Sequence, residues 1–107
     1  MDSINLLQET IDELKTMGKN ENDVIWVGND KVSTSWEHFT KIANVDYSNG
    51  YGGAEIDGSL LVVGSDFWLE RHEYDGSEWW EYKTLPKKPE LEHNFKSVYS
   101  ISVTSHA

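Results

Sequence analysis

The chain has 107 residues, no cysteine and a formal net charge of −10. That length fits one domain, 1–107, and lets a single core form without covalent staples. The absence of cysteine excludes disulfides, thiolate metal sites and cysteine nucleophiles, and it points to a reducing, cytoplasmic compartment.

Hydrophobic residues make up 37% of the chain, but five Trp, five Tyr and three Phe are among them. Each buries a large area, so a thin, aromatic-rich core is expected. The opening "MDSINLLQETIDELK" has neither the basic start nor the apolar run of a signal peptide. No apolar run approaches the roughly 20 residues that cross a bilayer. An excess of acid argues against direct contact with nucleic acid or anionic membranes and favours a basic protein partner. Residues 46–82 hold nine acids and one base, Arg71, whereas residues 83–107 hold four lysines and two acids. The negative field therefore comes mainly from the middle of the chain.

In chain order, residues 3–17 read as a helix capped by Asp2 or Ser3, with Ile4, Leu7, Ile11 and Leu14 on one stripe. Gly18 stands where a left-handed C-cap residue belongs. "VIWV" at 24–27 is a strand, and 31–33 returns as a short second one. Thr34 and Glu37 have capping-box spacing for a second helix running to about Ala43, with Trp36, Phe39, Ile42 and Ala43 able to face the core. Residues 44–55, rich in Gly, Asn and Ser, read as a loop whose Tyr47 and Tyr51 could serve as contact groups. "SLLVV" at 59–63 reads as a central strand.

"FWLERHEY" and "SEWWEYKT" flank Asp75-Gly76, a strong signal for a two-residue hairpin turn. A Pro-broken connection follows, and "VYSISVTS" alternates like an edge strand. The expected fold is α+β, with two helices against an antiparallel sheet of about five to six strands.

The hairpin turn fixes a register in which Tyr74 pairs with Ser77. Phe67, Leu69, Arg71, Trp80, Tyr82 and Thr84 then share one face, which Glu73 and Glu78 end near the tip. The other face carries Trp68, Glu70 and His72 opposite Lys83, Glu81 and Trp79. Glu70 directly opposes Glu81, which weakens a sheet unless something relieves it. Acids beside indoles make a docking surface for a basic partner, with Trp as anchor and Glu pairing with Arg or Lys. The candidate partner-binding set is Asp66, Trp68, Glu70, Glu73, Asp75, Glu78, Trp79 and Glu81. Carboxylates two residues apart on a strand are about 7 Å apart, close to phosphate spacing, so this set could imitate a nucleic-acid backbone.

No phosphate-binding loop, dinucleotide fingerprint, nucleophile elbow or paired-histidine zinc motif occurs. His38, His72, His93 and His106 are scattered, and only Glu70 with His72 offers a weak metal pair. A non-enzymatic chain with no cofactor and no metal site is expected.

The segments "VIWVGNDKVSTSWEHFTKIANVDY" and "GSDFWLERHEYDGSEWWEYKTLPKKP" resemble small acidic proteins encoded by bacteriophages and prophages of Gram-positive bacteria. The resemblance covers roughly residues 24–89 and transfers no catalytic residue. Some such proteins are anti-CRISPR proteins. The resemblance implies an inhibitor that sticks to a basic host protein, such as an effector nuclease whose channels are positively charged. The alternative is a phage structural or assembly protein that oligomerises through the first helix or the last strand.

Overall fold

The computed structural model describes residues 3–50 and 52–99. The architecture is α+β: two helices, a five-stranded antiparallel sheet and a separate two-stranded sheet.

The chain starts with a short strand, β1 (Ser3–Asn5), and passes directly into helix α1 (Leu6–Thr16). The helix begins later than the apolar spacing suggested because Asn5 is its cap. The Asn5 side chain accepts a hydrogen bond from the Gln8 amide at 2.9 Å, satisfying one of the orphan donors of the first turn. Asp2 and Ser3 are thus not the cap, and Ile4 belongs to β1. The buried stripe is Leu6, Thr10 and Leu14, with Leu7 packed at its margin. Gly18 ends the helix as the sequence suggested. Its φ is +75°, its amide donates to Lys15 O and the Lys19 amide donates to Leu14 O, the paired bonds of a Schellman motif.

A 3₁₀ turn (Glu21–Asp23) leads into β2 (Val24–Gly28), and β3 (Ser33–Thr34) pairs with it. Helix α2 (Trp36–Ile42) is capped by Ser35, whose hydroxyl accepts from the His38 amide at 3.0 Å. The cap therefore lies one residue beyond Thr34. Phe39 and Ala43 enter the core, whereas Ile42 is exposed, because a seven-residue helix turns too little surface inward to bury it.

The segment read as a loop contains β4 (Asp46–Ser48), which pairs antiparallel with β1. Its Tyr47 is buried; Tyr51 lies outside the described residues. Next come β5 (Leu61–Gly64), β6 (Phe67–Tyr74) and β7 (Ser77–Thr84). The five-stranded sheet runs β3-β2-β5-β6-β7. The hairpin register is the expected one, from Tyr74 opposite Ser77 to Phe67 opposite Thr84. Asp75 (φ 52°) and Gly76 (φ 86°) supply the two positive φ angles that such a turn demands.

Both helices pack on one face of this sheet. The core there is Leu6, Leu14, Val27, Phe39, Ala43, Tyr47, Val62, Phe67, Leu69 and Trp80. After β7, residues 85–99 form no regular element, and Leu85, Leu91, Phe95, Val98 and Tyr99 are exposed. Of the alternating segment expected as a last strand, Val98 and Tyr99 are not in a strand and the rest lies outside the described residues. Among the described residues no helix is long and apolar enough to cross a membrane.

Candidate functional site: the outer face of the sheet

Strand alternation assigns each hairpin side chain to a face. Trp68, Glu70 and His72 on β6 and Trp79, Glu81 and Lys83 on β7 point away from both helices. Pairing across the sheet extends this face. Trp26 lies opposite Val63, Val63 opposite Trp68, and Trp68 opposite Lys83. In the next row Leu61 lies opposite Glu70 and Glu70 opposite Glu81. Trp26 joins through a register shift between Val24 and Trp26, which lets Val24 pack on the core while Trp26 turns outward. None of Trp26, Leu61, Val63, Trp68 and Trp79 belongs to the core or packs against it.

The opposed carboxylates are held by donors from their own strands. Trp68 Nε1 donates to Glu70 Oε1 at 2.6 Å, and Trp79 Nε1 donates to Glu81 Oε2 at 3.1 Å. The second oxygen of each faces the middle of the site, where His72 Nε2 lies 2.6 Å from Glu70 Oε2 and 3.5 Å from Glu81 Oε1. Lys83 Nζ adds a contact to Glu81 Oε1 at 3.2 Å. The Trp68 indole N–H first, and His72 second, hold the Glu70 carboxyl below the ordinary glutamate range. The Trp79 indole and then Lys83 do the same for Glu81. The like-charge opposition is thus relieved by an imidazole, an ammonium and two indoles. The result is an ionised, half-exposed acidic pair bracketed by aromatic rings.

The six carboxylates considered for backbone imitation do not share one face. Glu70 and Glu81 are on the outer face. Asp66 precedes β6, is exposed, and pairs with Lys19 at 3.3 Å. Asp75 is in the turn, and Glu73 is exposed on the core-side face near the tip.

Glu78 departs from the expectation of an exposed partner-binding carboxylate: its side chain is 1% exposed. It sits on the core-side face under the 52–58 segment, accepting from the Glu55 amide at 2.6 Å and the Ile56 amide at 3.2 Å. It also accepts from Arg71 Nη2 at 2.8 Å. Arg71 Nη2 further donates to the Tyr47 hydroxyl, and Nη1 lies 3.4 Å from both oxygens of Glu9. Burial opposes the guanidinium charge, but the bonds to Tyr47 and Glu78 and the charge of Glu9 outweigh it and raise its pKa. Burial, reinforced by Glu9, pushes the Tyr47 phenol up to about 12. Reasoning from sequence missed this cluster. Its signal was Arg71, the one base among nine acids, standing on the core side of the hairpin register.

A cavity of about 40 Å³ lies beside Arg71, lined also by Ile56, Gly58 and Glu78. Among the described residues no group of three or more His, Asp or Glu is arranged to hold a metal ion. His38 and His93 are exposed, and His106 lies outside the described residues. No family model, curated protein or solved structure matches the chain.

Proposed function

We propose that this chain is a non-catalytic binding domain that docks on a basic protein surface through the outer face of its sheet. The observation that carries this reading is the separation of the two faces. Every core residue and both helices lie on one side, while three indoles and a preset acidic pair occupy the other with no element laid over them among the described residues. Indoles in contact with a partner provide anchoring area, and ionised carboxylates held in place provide charge complementarity at little ordering cost.

The narrower form of the proposal is a phage-type inhibitor of a host nucleic-acid-handling protein, with a CRISPR effector nuclease as one example. Two arguments support it: the resemblance of residues 24–89 to small phage proteins, and the sign of the charge, which suits a channel built for phosphates. The partner-facing residues are Trp68, Glu70, Trp79 and Glu81, with Glu73 and Asp75 at the tip; Glu78 serves the core.

The test is binding to purified nucleases with basic channels, followed by tryptophan fluorescence at low and high salt. The reading expects affinity that falls with salt, and that drops about tenfold or more for Trp79→Ala and for Glu70→Lys. Equal affinity for wild type and both variants would remove it.

A further inference from the structure

Strand β7 ends the five-stranded sheet, so among the described residues one of its sides has no strand neighbour. The two-residue turn makes Tyr74 and Ser77 a hydrogen-bonded pair, and alternate residues of β7 then aim their N–H and C=O away from β6. Glu78 is the first of these. Its outward amide donates to Asn49 Oδ1 and its carbonyl accepts from Asn49 Nδ2, both at 2.8 Å. The same alternation turns the backbone groups of Trp80, Tyr82 and Thr84 outward. Among the described residues, no backbone bond outside the hairpin reaches them. The open stretch is bounded at one end by the Asn49 clamp and at the other by Pro86, which has no N–H.

We infer that this edge pairs antiparallel with the same edge of a second copy, on a two-fold axis at Tyr82. The charges of β7 select that register. With Tyr82 opposite the partner's Tyr82, Glu81 stands opposite the partner's Lys83, and Lys83 opposite the partner's Glu81. These are non-hydrogen-bonded pairs, in which side chains come closest. Sliding by one step in either direction sets Glu81 against Glu81 or Lys83 against Lys83. The latter slide also brings Pro86 opposite Trp80. Lysine on an edge strand usually discourages pairing; here Lys83 finds an opposite charge in the register centred on Tyr82.

The hydrogen bonds are anchored on half-buried Tyr82 and exposed Thr84, with Trp80, the most covered of the three, completing the Thr84 pairs. The pairing joins two sheets into one and sets two outer faces side by side. It rests on the edge geometry and not on the basic partner proposed above, so a failure here leaves that reading standing.

Sedimentation equilibrium of the full chain is expected to give twice the 12.3 kDa chain mass at high concentration. Thr84→Pro removes only an outward N–H, so it should give a monomer with an unchanged circular dichroism spectrum. Glu81→Lys and Lys83→Glu each place like charges across the axis and should weaken self-association about tenfold or more. Mixed in equal amounts, those two variants restore both opposite-charge pairs and should form a heterodimer although neither dimerises alone. A monomeric wild type, a dimer that survives Thr84→Pro, or a mixture that stays monomeric overturns the inference.

Discussion

Arg71 and Glu78 hold each other inside the protein: Nη2 donates to Oε1 at 2.8 Å, and the two side chains are 2% and 1% exposed. Glu78 also takes the amides of Glu55 and Ile56, so one carboxylate fastens the 52–58 segment to the hairpin. Removing one member of a buried pair strands the other charge and costs about 3–5 kcal/mol. Glu78→Ala is therefore expected to lose that much in urea unfolding, and to speed proteolytic cleavage near Glu55. Glu73→Ala, at an exposed position in the same hairpin, should change stability by less than about 0.5 kcal/mol.

Gly64 and Phe67 set the close approach between β5 and β6. A Cβ at Gly64 would lie 2.0 Å from Cε1 of the Phe67 ring, which is itself buried and stacked on Tyr82 with centroids 5.4 Å apart. Gly64→Ala should therefore displace the ring and cost about 1–3 kcal/mol, read as a lower melting temperature with a perturbed near-UV spectrum. Gly58→Ala, where an added Cβ meets nothing within 4 Å, is the control and should melt near the wild type.

The hairpin was the most legible part of the chain. Asp75-Gly76 fixed the turn, the turn fixed the register, and period-two alternation then sorted Trp68, Glu70 and Trp79 from Leu69, Arg71 and Trp80. What remained hidden depended on contacts distant in sequence. Glu78 looked like any other tip carboxylate because its three donors come from residues 55, 56 and 71. Strand β4 was hidden inside a Gly- and Asn-rich stretch because its pairing partner, β1, lies more than forty residues away. The first helix is capped at Asn5 and not Asp2 or Ser3, and the second at Ser35 and not Thr34, since several Ser, Thr, Asn and Asp side chains compete for each role and only backbone geometry decides among them. Trp26 could not be placed on the outer face without knowing of the register shift beside it.

The Trp68 indole lowers the pKa of Glu70. Its N–H is the main reason that the carboxyl lies below the ordinary glutamate range. A depressed folded-state pKa stabilises the protein above the unfolded value, near 4.3, and that contribution disappears as pH falls through the folded value. Carboxyl-carbon NMR titration should show Glu70 losing its charge below the unfolded-state value. Trp68→Phe keeps an aromatic ring but removes the donor, so the Glu70 midpoint should rise toward the ordinary range. A midpoint identical in wild type and variant would contradict the assignment.

Asn49 closes the outer side of β7 at Glu78 with two bonds from one side-chain amide, a donor to the carbonyl and an acceptor from the amide, both 2.8 Å long. The neighbouring Gly50 amide donates to Gly76 O at 2.8 Å, so the segment after β4 is tied to the hairpin at two successive points. Asn49→Ala would leave the Glu78 N–H and C=O unpaired in a part-buried position, and each such group costs about 1–3 kcal/mol unless water reaches it. The expected outcome is faster hydrogen exchange at the Glu78 amide with little change at Leu69, whose pairing with Val62 and Tyr82 lies deep in the sheet. Asn49→Asp keeps the acceptor for the Glu78 amide and loses the donor to its carbonyl. It should therefore fall between wild type and Asn49→Ala, an order that side-chain size alone would not produce.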